Sequence, residues 1–172
     1  MAIRLPVWNN PYIGLPTLVA ATLEVHGAEG ETLLREAQAR IGRASATHLL
    51  HDGIVPLNAT ALELATFFSF VLRNDGFSVL HIRGDARTAW VEAGTDPYRE
   101  LYGFLPSPTT TDPILWTWNA ALASVVSPGI TMTPEADPIA GDATLRWRFD
   151  LAGTPVENAD RRPPIAIGPV TP

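Results

Sequence analysis

The segment from Thr60 to Gly76 constrains the fold most, because a helix-start signal precedes one continuous apolar stripe and a helix-end signal follows it. Thr60 precedes Glu63 by three residues, a spacing in which each side chain accepts a hydrogen bond from the backbone N–H of the other residue. Asn74-Asp75-Gly76 ends the pattern. The stripe consists of Leu64, Phe67, Phe68, Val71 and Leu72. Burying these side chains contributes on the order of 10 kcal/mol before entropy is subtracted, so the sequence predicts a helix over 60–73 at the centre of the core.

Two antiparallel strand pairs are predicted after this helix. A β-prone run over 77–82 is separated by Gly84-Asp85 from a second run around 88–91, which is typical of a hairpin. A second pair over 130–151 is divided by the loop EADPIAGD. Its last strand alternates apolar Leu145, Trp147, Phe149 and Leu151 with polar Arg146, Arg148 and Asp150. That alternation predicts one buried face and one solvated, charged face that could form a polar contact.

Other helices are indicated less sharply. One is expected over 31–41, with Leu34, Ala37 and Ile41 at helical spacing, and Gly42 either ends it or lies inside a longer helix that reaches His51.

A short helix is expected over 97–102 and another over 113–125, where Asp112 is a good cap and Pro113 suits the first helical position. This last helix places one apolar stripe on one side and Trp116 roughly opposite. The stripe is Ile114, Trp118, Ala121 and Val125.

We therefore predict a single α+β domain, in which two or three main helices pack on an antiparallel sheet built from hairpins. The 172-residue chain is long enough for one domain with its own core. Residues 1–16 are rich in proline and predict an extended N-terminal arm, residues 17–152 the globular domain, and residues 153–172 a proline-rich C-terminal tail.

Composition limits the classes of partner. The net charge is −6, every basic residue is arginine, and no basic cluster is present, which argues against nucleic-acid binding. The absence of cysteine excludes disulfides and thiolate chemistry. The N-terminal sequence makes a poor signal peptide, and no apolar run approaches the roughly 20 residues that cross a bilayer. We expect a soluble protein of the cytoplasm or of a virion, without membrane contact.

The stretch THLLHDG, residues 47–53, has the composition most typical of a metal-binding or catalytic site. On a helix His48 and His51 share a face, and Asp52 with a third ligand from His26 or Glu24 could complete a metal site. The alternative is a helix end, where histidine suits the helix dipole and Gly53 supplies a left-handed cap.

We favour the helix end over the metal site. In a longer helix, His48 would fall among Leu34, Ala37, Ile41 and Ala44 and be partly buried. Because the common catalytic and nucleotide-binding motifs are absent, no catalytic residue and no cofactor is predicted.

Protein contacts are the best-supported kind of function. The chain has five tryptophans, and tryptophan and arginine are the types enriched at interface hot spots. The predicted interface residues are Trp8, Tyr12, Trp116, Arg146, Arg148, Ile165 and Ile167. We predict a non-enzymatic, homo-oligomeric assembly subunit, for example of a bacteriophage-like virion or another protein shell, that contacts its own copies or neighbouring subunits. The alternatives are an immunity or inhibitor-type binding protein and a small metal-dependent enzyme built on His48 and His51.

Overall fold

A computed structural model describes residues 11–94, 114, 116–136 and 142–152, with side chains from Thr17 onward. Its helices and strands, in chain order, are α1 Pro11–His51, α2 Ala61–Asn74, β1 Ser78–Gly84, β2 Thr88–Gly94, α3 Thr117–Val126, β3 Ile130–Ala136 and β4 Leu145–Leu151. Three helices packed on a four-stranded antiparallel sheet confirm the predicted α+β class.

The sheet has the strand order β1-β2-β4-β3, with every neighbouring pair antiparallel. Both predicted strand pairs are present, and the β2–β4 pairing joins them into one sheet. Period-two alternation then gives the sheet an apolar face and a polar face. The apolar face is formed mainly by Ala89, Val91 and Ala93 of β2 and by Leu145, Trp147 and Phe149 of β4.

Helix α2 covers the apolar face at β1, β2 and β4, while α3 packs between β3 and α1. Phe68 of α2 is fully buried at the centre of the core. Its ring stacks on Phe149 at 5.3 Å and meets the edge of Trp147 at 5.7 Å. The sequence prediction that this helix lies at the core is therefore confirmed.

The start of α2 is the predicted capping box. The Thr60 hydroxyl accepts a hydrogen bond from the Glu63 N–H at 3.2 Å, and the Thr60 N–H donates to the Glu63 carboxylate at 2.7 Å. These backbone and hydroxyl hydrogen bonds from Thr60 lower the pKa of the Glu63 carboxyl below its ordinary value of 4.5. The helix ends at Asn74, shortly before Gly76, whose φ is 91°.

Removing this cap will destabilise the protein in a pH-dependent way. We expect Thr60→Ala to lower the free energy of unfolding by about 1 kcal/mol at pH 7. Because the Glu63 pKa is lower in the folded state, its stabilisation is present above pH 4.5 and is lost as the pH falls through the folded pKa. The difference in free energy of unfolding between the unmodified chain and Thr60→Ala should therefore become smaller between pH 5 and about pH 3, as measured by urea unfolding.

Thr66→Ala is the matched control, since this threonine lies in the same helix and its hydroxyl bonds only back to the Leu62 carbonyl. We expect its effect to stay within about 0.5 kcal/mol at every pH. A Thr60→Ala deficit that is absent at pH 7, or that grows on acidification, would contradict the capping role.

Helix α1 is longer than the predicted segment 31–41. It begins at Pro11, inside the segment 1–16 that was expected to be extended. It also runs through Gly42 to His51, which confirms the alternative of a longer helix. One residue interrupts its helical backbone: Gly27 has φ 54° and ψ −132°, a conformation that residues with a side chain rarely adopt. The glycine divides α1 into an N-terminal part and a longer part over 28–51.

The prediction of which side of this longer part faces the core was wrong. Gln38, Ala39, Gly42 and Ala46 are buried on the side that packs against α3, whereas Ile41 is 52% exposed. Of the other members of the predicted stripe, Ala37, Ala44 and His48 are exposed as well, and Leu34 is half-buried.

The physical reason is the close approach of α3, since a Cβ added at Gly42 would lie 2.2 Å from the Trp118 carbonyl oxygen. At such a distance only a residue without a Cβ fits at this point of α1.

Several predictions lie outside the described residues. These are the N-terminal segment 1–10, the short helix over 97–102, the cap at Asp112-Pro113 and the tail 153–172. The described part of the 113–125 helix is α3, which starts at Thr117 and runs to Val126.

Candidate interaction surfaces

THLLHDG is the end of α1. Gly53 has a left-handed φ of 66°, its N–H donates to the Leu50 carbonyl, and the Ile54 N–H donates to the Leu49 carbonyl. These two bonds form a Schellman motif, which satisfies carbonyls left free at a helix C-terminus. The helix-end interpretation is confirmed.

His48, His51 and Asp52 are all exposed, and so are the proposed third ligands His26 and Glu24. Within the described residues, no three histidine, aspartate or glutamate side chains come together closely enough to hold a metal ion. The histidine pair is therefore a pair of surface side chains at the end of a helix.

The polar face of the sheet differs from the predicted solvated surface. Arg148, expected to be exposed, is only 4% exposed. Its guanidinium donates to Asp150 of the same strand at 2.8 Å and lies 3.7 Å from the Glu135 carboxylate of β3. The Trp90 ring lies over it, 5.1 Å from the guanidinium carbon to the ring centroid. Arg148 is therefore paired and covered within its own sheet, and its role as a contact residue stays a prediction.

Trp90 links three strands across this face. Its indole N–H donates to the Glu135 carboxylate at 3.0 Å, and Arg83 of β1 lies 5.3 Å from its ring centroid. Thr88 extends the network, since its hydroxyl donates to Asp150 at 2.9 Å. We call Trp90, Glu135, Arg148 and Asp150 the polar cluster.

Beside the polar cluster lies a more open ion pair. The Glu92 carboxylate accepts hydrogen bonds from Arg146 at 3.2 Å and from Thr144 at 3.0 Å. Partial burial works to raise the Glu92 pKa, but the bonds from Arg146 and Thr144 outweigh it and hold the pKa below 4.5. The Arg146 side chain is about one third exposed, so it remains a possible contact residue at the edge of this face.

Trp116 lies just before α3 and packs on the core. Its ring meets the edge of Trp147 at 4.9 Å. The helical wheel placed Trp116 opposite the apolar stripe, whereas its ring packs on the core from the residue directly before α3. Trp118 also packs on the core, half-buried.

The remaining predicted interface residues lie towards the two ends of the sequence. Tyr12 lies in the first turn of α1, and Trp8, Ile165 and Ile167 lie outside the described residues. Their role in contacts stays a prediction.

A surface that the sequence interpretation missed is the outer face of α1, directly opposite its α3-packed side. It comprises Leu33, Ala37, Arg40, Ile41, Ala44 and His48, all exposed. Leu33 is 63% exposed and Ile41 52%. Single exposed apolar residues are common on any protein, but here they recur along one stripe of one helix. The neighbouring pair Leu33-Leu34 was a possible signal, because adjacent leucines on a helix point to different sides.

No protein-family profile matches the chain, and no curated protein matches it by sequence. The fold is similar to that of a trafficking protein particle complex subunit 3 from Naegleria fowleri, whose structure was solved with palmitic acid covalently bound. That similarity has a TM-score of 0.57 and 14% sequence identity, and it covers 84% of this chain and 94% of the other.

A weaker likeness exists to the phenol-responsive sensory domain of the transcription activator PoxR, with a TM-score of 0.49 and 11% identity over 81% of this chain and 73% of that one. At 14% identity the first likeness shows a similar fold and nothing more. Within the described residues, no helix has the length and apolar character to span a membrane.

Proposed function

We propose that this chain is a structural subunit of a protein assembly and that the outer face of α1 is its main contact surface. The observation that carries the proposal is the exposure of Leu33 and Ile41 on one stripe of a helix whose opposite side is already packed. Apolar residues repeated along a helix stabilise it mainly by packing against another element. No described element of this chain covers that stripe, so a partner would supply the missing surface.

The chemistry of the surface supports a protein partner. Two large aliphatic side chains separated by the small Ala37 form a shallow apolar ridge of the kind that packs against another helix. Arg40 borders the ridge and is held by an ion pair with Glu36 at 2.9 Å, which gives the surface a polar rim. Arg146, on the polar face of the sheet, is proposed as a secondary contact.

The fold comparison supports the proposal at a coarse level, since the similar structure is a subunit of a multiprotein complex. It gives no support to a virion or shell in particular, so the proposal concerns assembly in general. The histidine pair gives the enzyme alternative no support, because His48 and His51 are exposed and gather no further ligand among the described residues.

Polar substitution of the outer face should abolish association without unfolding the chain. We expect the double variant Leu33→Ser, Ile41→Ser to lose at least 100-fold in association affinity, because removing two buried aliphatic contacts from an interface costs about 3 kcal/mol or more. Size-exclusion chromatography with light scattering, across a range of concentrations, measures the change in mass.

Leu57→Ser is the matched control, since Leu57 is also 63% exposed but lies outside α1. We expect it to associate like the unmodified chain. The proposal fails if the double variant and the control behave alike, or if the unmodified chain is monomeric and binds no other protein at fixed stoichiometry.

A further inference from the structure

We infer that the partner on the outer face is a second copy of this chain, with the two α1 helices antiparallel around a twofold axis at Ala37. The inference rests on the proposed function and adds the identity of the partner and the geometry of the contact. Three features of α1 support it: the spacing of its apolar residues, the size of the central residue and the distribution of its charges.

The spacing is symmetric about Ala37. Leu33 precedes Ala37 by four residues and Ile41 follows it by four, and both large side chains are exposed. A twofold interface must be self-complementary, so that if one residue contacts another, the second contacts the first in return. Antiparallel helices crossing at Ala37 meet this condition, because Leu33 of each copy then lies against Ile41 of the partner subunit.

The central residue suits a close crossing. Helices pack with their axes about 8–10 Å apart, and small residues at the crossing point permit the shorter distances. Ala37 occupies that point, and the exposed Ala44 continues the small surface towards the C-terminal end of the helix.

The charges of α1 favour the antiparallel direction. Between Gly27 and Ala37 the helix carries three glutamates and one arginine, a net charge of −2, and after Ala37 two arginines without any acidic residue, a net charge of +2. Antiparallel pairing lays the acidic part of one helix along the basic part of the other, which is favourable, whereas parallel pairing would align like charges. The exposed Glu29 belongs to the acidic part and the exposed Arg40 to the basic part.

The absence of cysteine allows a direct test, because any thiol introduced by mutation is the only one in the chain. A disulfide needs Cα atoms about 4.4–6.8 Å apart. In the proposed dimer, thiols introduced by Ala37→Cys meet across the axis. Two thiols introduced by Leu33→Cys lie eight residues apart along the pair, about 12 Å, and cannot bond. Thiols introduced by Leu33→Cys in one copy and Ile41→Cys in the other face each other.

We expect mild oxidation to convert Ala37→Cys into a covalent dimer at least tenfold faster than Leu33→Cys or Ile41→Cys alone. An equimolar mixture of the last two should give a covalent heterodimer, resolved by intact mass, at a rate near that of Ala37→Cys. Leu57→Cys is the matched exposed control and should stay monomeric. Because all four positions are exposed, far-UV circular dichroism should show an unchanged fold for each variant.

Two outcomes would overturn the inference while leaving the proposed function standing. Self-crosslinking of Leu33→Cys and of Ile41→Cys indicates parallel helices. A monomeric chain without crosslinks, which binds a different protein and loses it in the Leu33→Ser, Ile41→Ser variant, indicates a heterologous partner. If the chain associates with nothing and the serine variant changes nothing, both the inference and the proposed function are wrong.

Discussion

Replacing Gly42 with alanine will lower the free energy of unfolding by about 3 kcal/mol, in the range for a side chain forced into a packed contact. In a chain of this size the melting temperature should fall by roughly 6–12 °C. The added Cβ would lie 2.2 Å from the Trp118 carbonyl oxygen and 3.0 Å from the Ala121 Cβ. The nearest of these atoms belongs to the backbone of a packed helix and cannot rotate away, so α1 and α3 would have to separate.

The expected sign of this change in unfolding free energy is opposite to that of glycine to alanine in an exposed helix. In an open helix, glycine to alanine stabilises by about 1 kcal/mol, because alanine loses less backbone entropy on folding. Ala44→Gly, on the side of the same helix that points away from α3, measures helix propensity without the α3 contact and should cost about 1 kcal/mol. Chemical unfolding followed by circular dichroism gives both values. A stabilised Gly42→Ala would mean that the two helices do not meet at this position.

Local sequence signals were sufficient for α2 and for both strand pairs. The capping box at Thr60 and Glu63 is a contact within one turn, and the alternation over β4 is a property of neighbouring residues. Such short-range signals do not depend on which element packs where. For this reason the fold class could be predicted from the sequence.

The orientation of α1 could not be predicted in the same way. The stripe that was predicted to face the core, with Ala37 and Ile41, lies outside, and a side with Gln38 and Gly42 lies inside. Amphipathicity assigns the apolar side to the core only if the helix has no partner outside its own domain. The decisive fact is that a Cβ at Gly42 would lie 2.2 Å from the Trp118 carbonyl oxygen. This contact joins residues 76 positions apart and leaves no periodic pattern in the sequence.

The polar cluster was missed for a related reason. Alternation correctly placed Arg148 on the polar face of β4, but its cover comes from Trp90 on β2 and Glu135 on β3. Those residues become neighbours only through the order β1-β2-β4-β3, which requires the first hairpin to pair with the last strand. A sequence pattern can assign a side chain to one face of a sheet, but it does not give the side chains on adjacent strands.

Replacing Arg148 with methionine will destabilise the protein by about 3–5 kcal/mol, because it leaves the Asp150 carboxylate, whose side chain is only 13% exposed, without its cation. Methionine keeps the length and the apolar stem, so the loss reports the charge rather than a cavity. Arg146→Met is the matched control on the same face of the same strand. Its pair with Glu92 is more exposed, and we expect a cost below about 1 kcal/mol.

A second substitution separates an unpaired charge from poor packing in the Arg148→Met variant. Adding Asp150→Asn removes the charge that lacks a cation, so the double variant should be more stable than Arg148→Met alone. Urea unfolding at pH 7 measures the difference. A double variant that is no more stable than Arg148→Met would assign the effect to lost packing against the Trp90 ring. A deficit no larger than that of Arg146→Met would mean that the polar cluster is more solvated than its 4% exposure at Arg148 indicates.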